Sequence, residues 1–172
     1  ILQSGGNAMD AAVAACAVQC VVEPQSTGIG GDCFVLYAPK GSADIIAYNG
    51  SGRAPAAAEP GWYLDQGIHE IERLSAHAVT VPGAVSAWTR LIQDYGSKPL
   101  AELLQPAIRF AREGYPIHSK VAFDWGKEAE NLQNSPNAAR VLLNDGAVPK
   151  IGSLHRQPQL AETLSRIATY GR

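Results

Sequence analysis

Residues 4–38, SGGNAMDAAVAACAVQCVVEPQSTGIGGDCFVLYA, hold a helix signal, a turn signal and a strand signal in that order. Asn7 can cap a helix that begins at the next residue. Asp10 would stand in the first turn, where a carboxylate suits the positive end of the helix dipole. Pro24 ends the apolar run, and the segment after the glycines is rich in β-forming residues. The stretch therefore predicts a buried helix, a turn, and a strand over 32–38.

The glycine-rich turn, GIGG at 28–31, is of a kind that often holds phosphate groups. A dinucleotide-binding turn follows a strand and opens a helix, whereas here the helix comes first and the strand second. No third glycine stands at the required offset, and no Lys-Ser or Lys-Thr pair follows. We therefore expect a structural turn whose glycines adopt positive φ or let chains approach closely. A loop that lines a site is the alternative.

The rest of the chain predicts one hairpin and a helical second half. A turn at 39–42 and a second strand over 43–49 complete the hairpin. Glycine and proline make residues 50–61 irregular, and 76–81 is predicted to be extended. Helices are predicted over 84–95, 100–113, 119–133, 136–143 and 157–170. The residue pattern alone fits a layered α/β or α+β chain.

Composition excludes several classes of partner. The 172 residues are 46% hydrophobic and 17% charged with a net charge of −2, as in a globular protein. Lys and Arg are scattered, so no nucleic-acid partner is predicted. The most apolar segment, 8–22, is short and interrupted by Asp10 and Gln19, so this chain contains no predicted membrane segment.

The three cysteines do not describe a disulfide framework, because their number is odd. Cys16 and Cys20 lie four apart on the first helix and are expected, like Cys33, to be buried structural thiols. The four histidines are single and far apart, so we predict no metal site and no cofactor. The odd count favours the cytoplasm, and a periplasmic or secreted location is the alternative.

No complete catalytic set emerges from the residues. The stretch NGSG at 49–52 fails the Gly-x-Ser-x-Gly pattern, because asparagine replaces the first glycine. The aromatic residues Trp62, Tyr63, Trp88 and Trp125 are expected to pack in the core or between layers, and not to form a stacking platform. Arg53 is a lone cation in a glycine-rich loop after a strand, where its fork could bind a carboxylate; an ordinary exposed arginine is the alternative.

Several segments resemble the gamma-glutamyltranspeptidase family. They begin with SGGNAMDAAVAA and EPQSTGIGGDCFVLY. They continue through GRAPAAA, TVPGAVSAW, PLAELLQPAIRFAREGYPI and QLAETLSRIATYG in the family's order. The first two blocks are the most specific, and the resemblance covers nearly the whole chain.

This resemblance implies an N-terminal-nucleophile hydrolase whose fold class is α+β, part of an αββα sandwich. Its nucleophile is the Thr that heads a small subunit released by self-cleavage, with the freed amine implicated as general base. Residues 1–172 match the N-terminal part of the large subunit, so we expect a fragment truncated at both ends, inactive alone, with no catalytic residue. Its partners would be that small subunit and a gamma-glutamyl compound such as glutathione, or another acyl amide.

Arg53 is the substrate-binding residue that the resemblance implies. In typical members an Arg four residues before the Pro of an Ala-Pro pair binds the α-carboxylate of the gamma-glutamyl group. Pro55 places that position at Ser51, so Arg53 is displaced by two residues. The form NGSGRAP resembles the transpeptidase-like branch that includes cephalosporin acylases, where amide-bond chemistry is expected without strict gamma-glutamyl specificity. A non-catalytic or truncated scaffold of the family is the competing hypothesis.

Overall fold

The structure is a computed structural model that describes residues 1–171. Its elements are α1 (Ala8–Val22), β1 (Cys33–Tyr37), β2 (Ile46–Gly50), α2 (Pro60–Asp65), α3 (Ala84–Tyr95), α4 (Leu100–Leu103), α5 (Gln105–Glu113), β3 (Tyr115–Pro116), α6 (Ser119–Lys127), α7 (Ala129–Gln133), α8 (Pro136–Leu142), β4 (Leu154–His155) and α9 (Pro158–Tyr170). Short 3-10 turns cover Leu2–Ser4, Pro39–Gly41 and Ala76–Ala78. The chain forms two compact units, one from Ile1–Gly28 and the chain from Gly96 onward, the other from Ile29–Tyr95.

The first helix begins where the sequence predicts. The Asn7 side chain accepts a hydrogen bond from the Asp10 N–H at 3.0 Å, and the Asp10 carboxylate accepts one from the Asn7 N–H at 2.7 Å. This reciprocal capping box satisfies two backbone donors that a helix start otherwise leaves unpaired. The predicted cap is therefore confirmed.

Asp10 has a second role that the sequence did not indicate. Its side chain is fully buried and accepts hydrogen bonds from the Ser97 N–H at 3.0 Å, the Ser97 hydroxyl at 2.5 Å and the Lys98 N–H at 3.3 Å. Burial alone would raise the pKa of this carboxyl, but the bonds from Ser97, Asn7 and Lys98 outweigh burial and lower it. The carboxylate thus joins the start of α1 to the segment before α4.

Three helices form the core of the first unit, because α5 packs against both α1 and α9. Leu103, Leu104, Ala107 and Leu164 are fully buried there. The short strands β3 and β4 pair antiparallel beside this core. The Gln157 amide donates to the Val21 carbonyl oxygen at 2.8 Å, which satisfies a carbonyl in the last turn of α1.

The second unit is built on a hairpin. Strands β1 and β2 pair antiparallel, with Cys33 opposite Gly50 and Tyr37 opposite Ile46. Side chains alternate between the two faces, and α3 contacts both strands. On the other face Phe34 is 67% exposed and Leu36 is 78% exposed. The α+β class is confirmed; the αββα sandwich remains an expectation, since the strands described here form two separate two-stranded sheets.

The predicted helices are largely confirmed, with specific differences. Helix α3 has the predicted bounds, 84–95. The bounds of α8 and α9 each differ from the prediction by one residue at one end. The predicted helix 100–113 is interrupted at Leu104, since Pro106 opens a new helix there. The predicted helix 119–133 is interrupted at Glu128. The hairpin connection spans 38–45 and is longer than predicted, a 3-10 turn replaces part of the predicted extended segment 76–81, and α2 was not predicted.

Two expectations about burial were wrong. Cys16 is exposed, while Cys20 is buried and Cys33 half-buried. The buried face of α1 runs through Val13, Ala17 and Val21, which leaves Cys16 outside it. Trp88 and Trp125 are buried as expected.

The other error concerns Trp62, which is 47% exposed. It stands on the short helix α2 beside the half-buried Tyr63. These two rings pack against each other and against His77 instead of entering the core.

His155 should make the stability of this protein sensitive to mild acid. It is 3% exposed, lies between the uncharged rings of Tyr115 and Trp125, and its Nε2 has no hydrogen-bond partner among the described residues. Burial lowers the pKa of His155 below its ordinary value of 6.5. Below that pH the unfolded chain binds a proton that the folded chain does not. We expect the free energy of unfolding to fall by up to about 1.4 kcal/mol per pH unit as the pH drops below 6.5.

Urea unfolding between pH 7.5 and 5, followed by tryptophan fluorescence, measures this slope. His155→Phe should flatten it. His69→Gln, at an exposed position outside the helices and strands, serves as the control and should keep it. An equal slope in wild type and His155→Phe would contradict the assignment.

Candidate functional site

The loop that carries Arg53 leaves β2 and runs along the segment that leads into α3. The Val81 N–H donates to the Arg53 carbonyl oxygen at 2.9 Å. The N–H groups of Gly83 and Ala84 donate to the Gly31 carbonyl oxygen at 3.1 and 2.9 Å. Backbone hydrogen bonds therefore hold together the turn before β1, the Arg53 loop and the start of α3.

Two glycines permit this close approach. A Cβ at Gly52 would lie 1.6 Å from the Val81 carbonyl oxygen, and a Cβ at Gly83 would lie 2.2 Å from the Gly50 carbonyl oxygen. Neither glycine has a φ in the left-handed region. Both positions therefore require glycine for space and not for its conformational freedom.

Gly52→Ala should disrupt the loop, because the methyl group meets backbone that has no flexible side chain to move aside. We expect a loss of about 2 kcal/mol in the free energy of unfolding. Gly28→Ala is the matched control, since no atom lies within 4 Å of a Cβ there. Denaturant unfolding of the two variants tests this, and equal stabilities would contradict the reading.

Two side chains also hold the loop. The Gly52 N–H donates to Asp32 Oδ1 at 2.9 Å, and the Ser51 N–H donates to Asn49 Oδ1 at 2.9 Å. Asp32 immediately precedes β1, and Asn49 lies near the end of β2. Sequence reasoning missed both residues as loop anchors. The Asn-x-Ser spacing was the available signal for Asn49, because asparagine side chains commonly bond the backbone two residues on.

Arg53 is exposed. Ser51, which stands where typical family members carry the arginine, donates its hydroxyl to the Gly52 carbonyl oxygen at 3.4 Å. A backbone carbonyl cannot act as a general base for that hydroxyl, so the contact does not activate Ser51 as a nucleophile. The loop thus offers a cation for binding and no nucleophile–base pair at this serine.

A cleft of about 350 Å³ lies in the second unit, and Pro55 forms part of its wall. Its walls include Trp62, Tyr63, His77 and Val79, so they are mainly apolar and aromatic. The Trp62 and His77 rings lie 5.6 Å apart, and the Tyr63 and His77 rings 5.4 Å apart. The sequence did not indicate that Trp62, Tyr63 and His77 lie close together, because α2, which carries Trp62 and Tyr63, was not predicted.

The prediction of positive φ in the glycine turn 28–31 is wrong. None of Gly28, Gly30 and Gly31 has a positive φ. A Cβ at Gly28 or Gly30 would meet no atom within 4 Å. The turn contributes the Gly31 carbonyl oxygen that anchors the start of α3.

Within residues 1–171, no three His, Cys, Asp or Glu side chains are grouped so that they could hold a metal ion. Over the same residues, the helices are too short or too polar to cross a bilayer.

Comparison with known proteins identifies the family. The sequence model described as gamma-glutamyltranspeptidase matches residues 1–172. The chain belongs to the gamma-glutamyltranspeptidase family. It is 36% identical over its whole length to the glutathione hydrolase-like proenzyme of Bacillus subtilis, and 38% identical over 99% of its length to the oxamate amidohydrolase proenzyme of Klebsiella pneumoniae. It spans 33% of the length of each of these relatives.

Solved structures of the gamma-glutamyltranspeptidase family share the fold of this chain. The cephalosporin acylase of Bacillus halodurans superposes with a TM-score of 0.92 at 37% identity, over 99% of this chain and 33% of the acylase chain. The gamma-glutamyltranspeptidase of Helicobacter pylori gives 0.91 at 31% identity, over 99% of this chain and 50% of the other. The resemblance expected from the sequence motifs is therefore confirmed.

Proposed function

We propose that this chain is part of an amide hydrolase or acyltransferase that cleaves gamma-glutamyl or related acyl amides. The observation that carries the proposal is the family match over all 172 residues. Relatives named as glutathione hydrolases, an oxamate amidohydrolase and a cephalosporin acylase support amide-bond chemistry as the common reaction.

The nucleophile in this proposal is a Thr outside residues 1–172. Its hydroxyl attacks the amide carbonyl, its own α-amino group takes the proton, and the amine product leaves with a proton. Water or an amino compound then attacks the resulting ester and releases the acyl group. Several relatives are named as proenzymes, and this chain spans a third of their length, which supports a catalytic partner polypeptide.

Arg53 is the residue of this chain that we assign to substrate binding. Its guanidinium can bind a terminal carboxylate of the acyl group through two parallel hydrogen bonds. Arg53 is two residues away from the position of the arginine in typical transpeptidases. The pocket therefore need not recognise an α-amino acid. A carboxylate-terminated acyl group, glutamyl or glutaryl, is therefore the substrate class that we propose.

Intact-mass analysis under denaturing conditions, with N-terminal sequencing of each species, tests the proposal on the product of the complete coding sequence. Two polypeptides are expected, the second beginning with Thr. A single unprocessed chain without such a segment would overturn the enzyme assignment and favour the non-catalytic scaffold. Hydrolysis of glutamyl and glutaryl anilides by the two-chain product would then identify the acyl group.

A further inference from the structure

We propose that Asp32 is a positioning residue for Arg53, and that it fixes the loop from which Arg53 reaches the substrate carboxylate. The inference rests on the proposed function for the role of Arg53. It adds a residue immediately before β1 that acts through the backbone and does not itself touch the substrate.

The first observation is where the backbone is held. The Asp32 carboxylate accepts from the N–H of Gly52, and the carbonyl oxygen of Arg53 accepts from the N–H of Val81, each at 2.9 Å. These bonds bracket the Arg53 Cα, one on each side. Only a few backbone torsions lie between them, so the two bonds restrict the direction of the Arg53 Cα–Cβ bond.

The second observation is that few side chains hold the loop. Gly50 and Gly52 flank Ser51 and contribute no side chain. The Ser51 N–H donates to the neighbouring Asn49 side chain, which belongs to the same strand end. The bond to Asp32 joins the loop to the residue before β1, twenty residues away in sequence. Among the described residues, this side-chain bond therefore ties the loop to the start of the other strand.

The third observation indicates that Asp32 acts through its hydrogen bond and not through its charge. Both Asp32 and Arg53 are exposed, and the bond from Asp32 goes to a backbone N–H. Exposed charges are screened by water and salt, so the negative charge of Asp32 contributes little to holding Arg53. Asp32→Asn keeps an oxygen acceptor at the same place and removes the charge, whereas Asp32→Leu keeps the branched outline and removes the acceptor.

Steady-state kinetics on the complete processed protein tests the proposal with two substrates. The probes are glutaryl p-nitroanilide and its terminal carboxamide, which lacks the charge that Arg53 would bind. We expect Asp32→Ala and Asp32→Leu to raise KM for the carboxylate substrate about tenfold, with kcat and the carboxamide reaction little changed. Asp32→Asn should behave like wild type. Equal losses on both substrates, or a fall in kcat alone, would overturn the positioning role.

A double-mutant cycle strengthens the test. In an Arg53→Ala background, Asp32→Ala should raise KM no further, because the residue that it positions is gone. Additive effects would overturn the proposal.

Hydrogen exchange, followed by mass spectrometry of peptides that cover 50–53, makes the result independent of activity. Exchange at Gly52 should accelerate in Asp32→Ala and stay slow in Asp32→Asn. Faster exchange without a change in KM would refute positioning. If Arg53→Ala leaves the preference for carboxylate unchanged, the proposed role of Arg53 fails, and the positioning of a substrate contact by Asp32 fails with it. The exchange result still reports whether Asp32 fixes the loop.

Discussion

Arg53→Ala is expected to remove selectivity for carboxylate-terminated acyl groups while leaving amide cleavage intact. An arginine–carboxylate pair in a substrate pocket contributes enough that its loss should lower kcat/KM about a hundredfold. A neutral acyl amide of the same length should lose less than about threefold, since it never made the contact. The measurement is kcat/KM for glutamyl, glutaryl and carboxamide-terminated anilides with the complete processed protein.

Two controls make this result specific to Arg53. Arg53→Lys keeps the charge but loses the planar fork, so it should fall between wild type and Arg53→Ala. Arg90→Ala removes an exposed arginine of the same unit that pairs with Asp94 on α3, and should change none of the three rates. Equal losses on charged and neutral substrates would show that Arg53 supports the fold and does not read the acyl group. Equal rates on the glutamyl and glutaryl anilides would argue against an α-amino-acid pocket.

Asp10→Ala is expected to give the largest loss of stability in this chain. The carboxylate accepts from the N–H groups of Asn7, Ser97 and Lys98 and from the Ser97 hydroxyl. Its removal leaves several partly buried donors without an acceptor, so we expect the free energy of unfolding to fall by about 3–5 kcal/mol. Denaturant unfolding measures the loss.

Asp10→Asn should lose less than Asp10→Ala, because one oxygen acceptor remains. Glu102→Ala is the matched control, an exposed carboxylate of the same unit that pairs with the half-buried Lys98, and should cost less than about 1 kcal/mol. The pKa of Asp10 is lowered in the folded state, so its stabilising contribution is complete above the unfolded value of 3.8. That contribution is lost as the pH falls through the folded pKa. A small loss in Asp10→Ala would mean that water replaces the carboxylate.

Most of the secondary structure could be predicted from local sequence signals. Asn7 and Asp10 mark the start of α1 within four residues of sequence, and the capping box forms there. The hairpin and the helix 84–95 follow from equally local patterns of β-forming and amphipathic residues. Pro106 was the local signal for the break in the helix 100–113.

The contacts that could not be predicted join residues that are distant in sequence. Asp10 meets Ser97 across 87 residues, and Asp32 meets Gly52 across 20. Nothing near either carboxylate in the sequence identifies its partner. For Asp10, the sequence therefore indicated only a favourable interaction with the dipole of α1. The space requirement at Gly52 depends on Val81, which is distant in sequence. Positive φ was predicted as one option for the glycines at 28–31, and none of Gly28, Gly30 and Gly31 has it. The resemblance supplied Arg53 as a candidate, and the residues that fix its loop became visible only in three dimensions.

The first unit is assembled from two segments separated in sequence by the whole of the second unit. Helix α1 is synthesised before α5, against which it packs and which begins at Gln105. At usual synthesis rates of about 5–20 residues per second, the apolar face of α1 waits roughly 4–17 seconds for α5 to begin. During translation that face is exposed apolar surface of the kind that makes chaperones necessary. Synonymous codons that slow synthesis between residues 23 and 105 would lengthen that exposure without changing any residue.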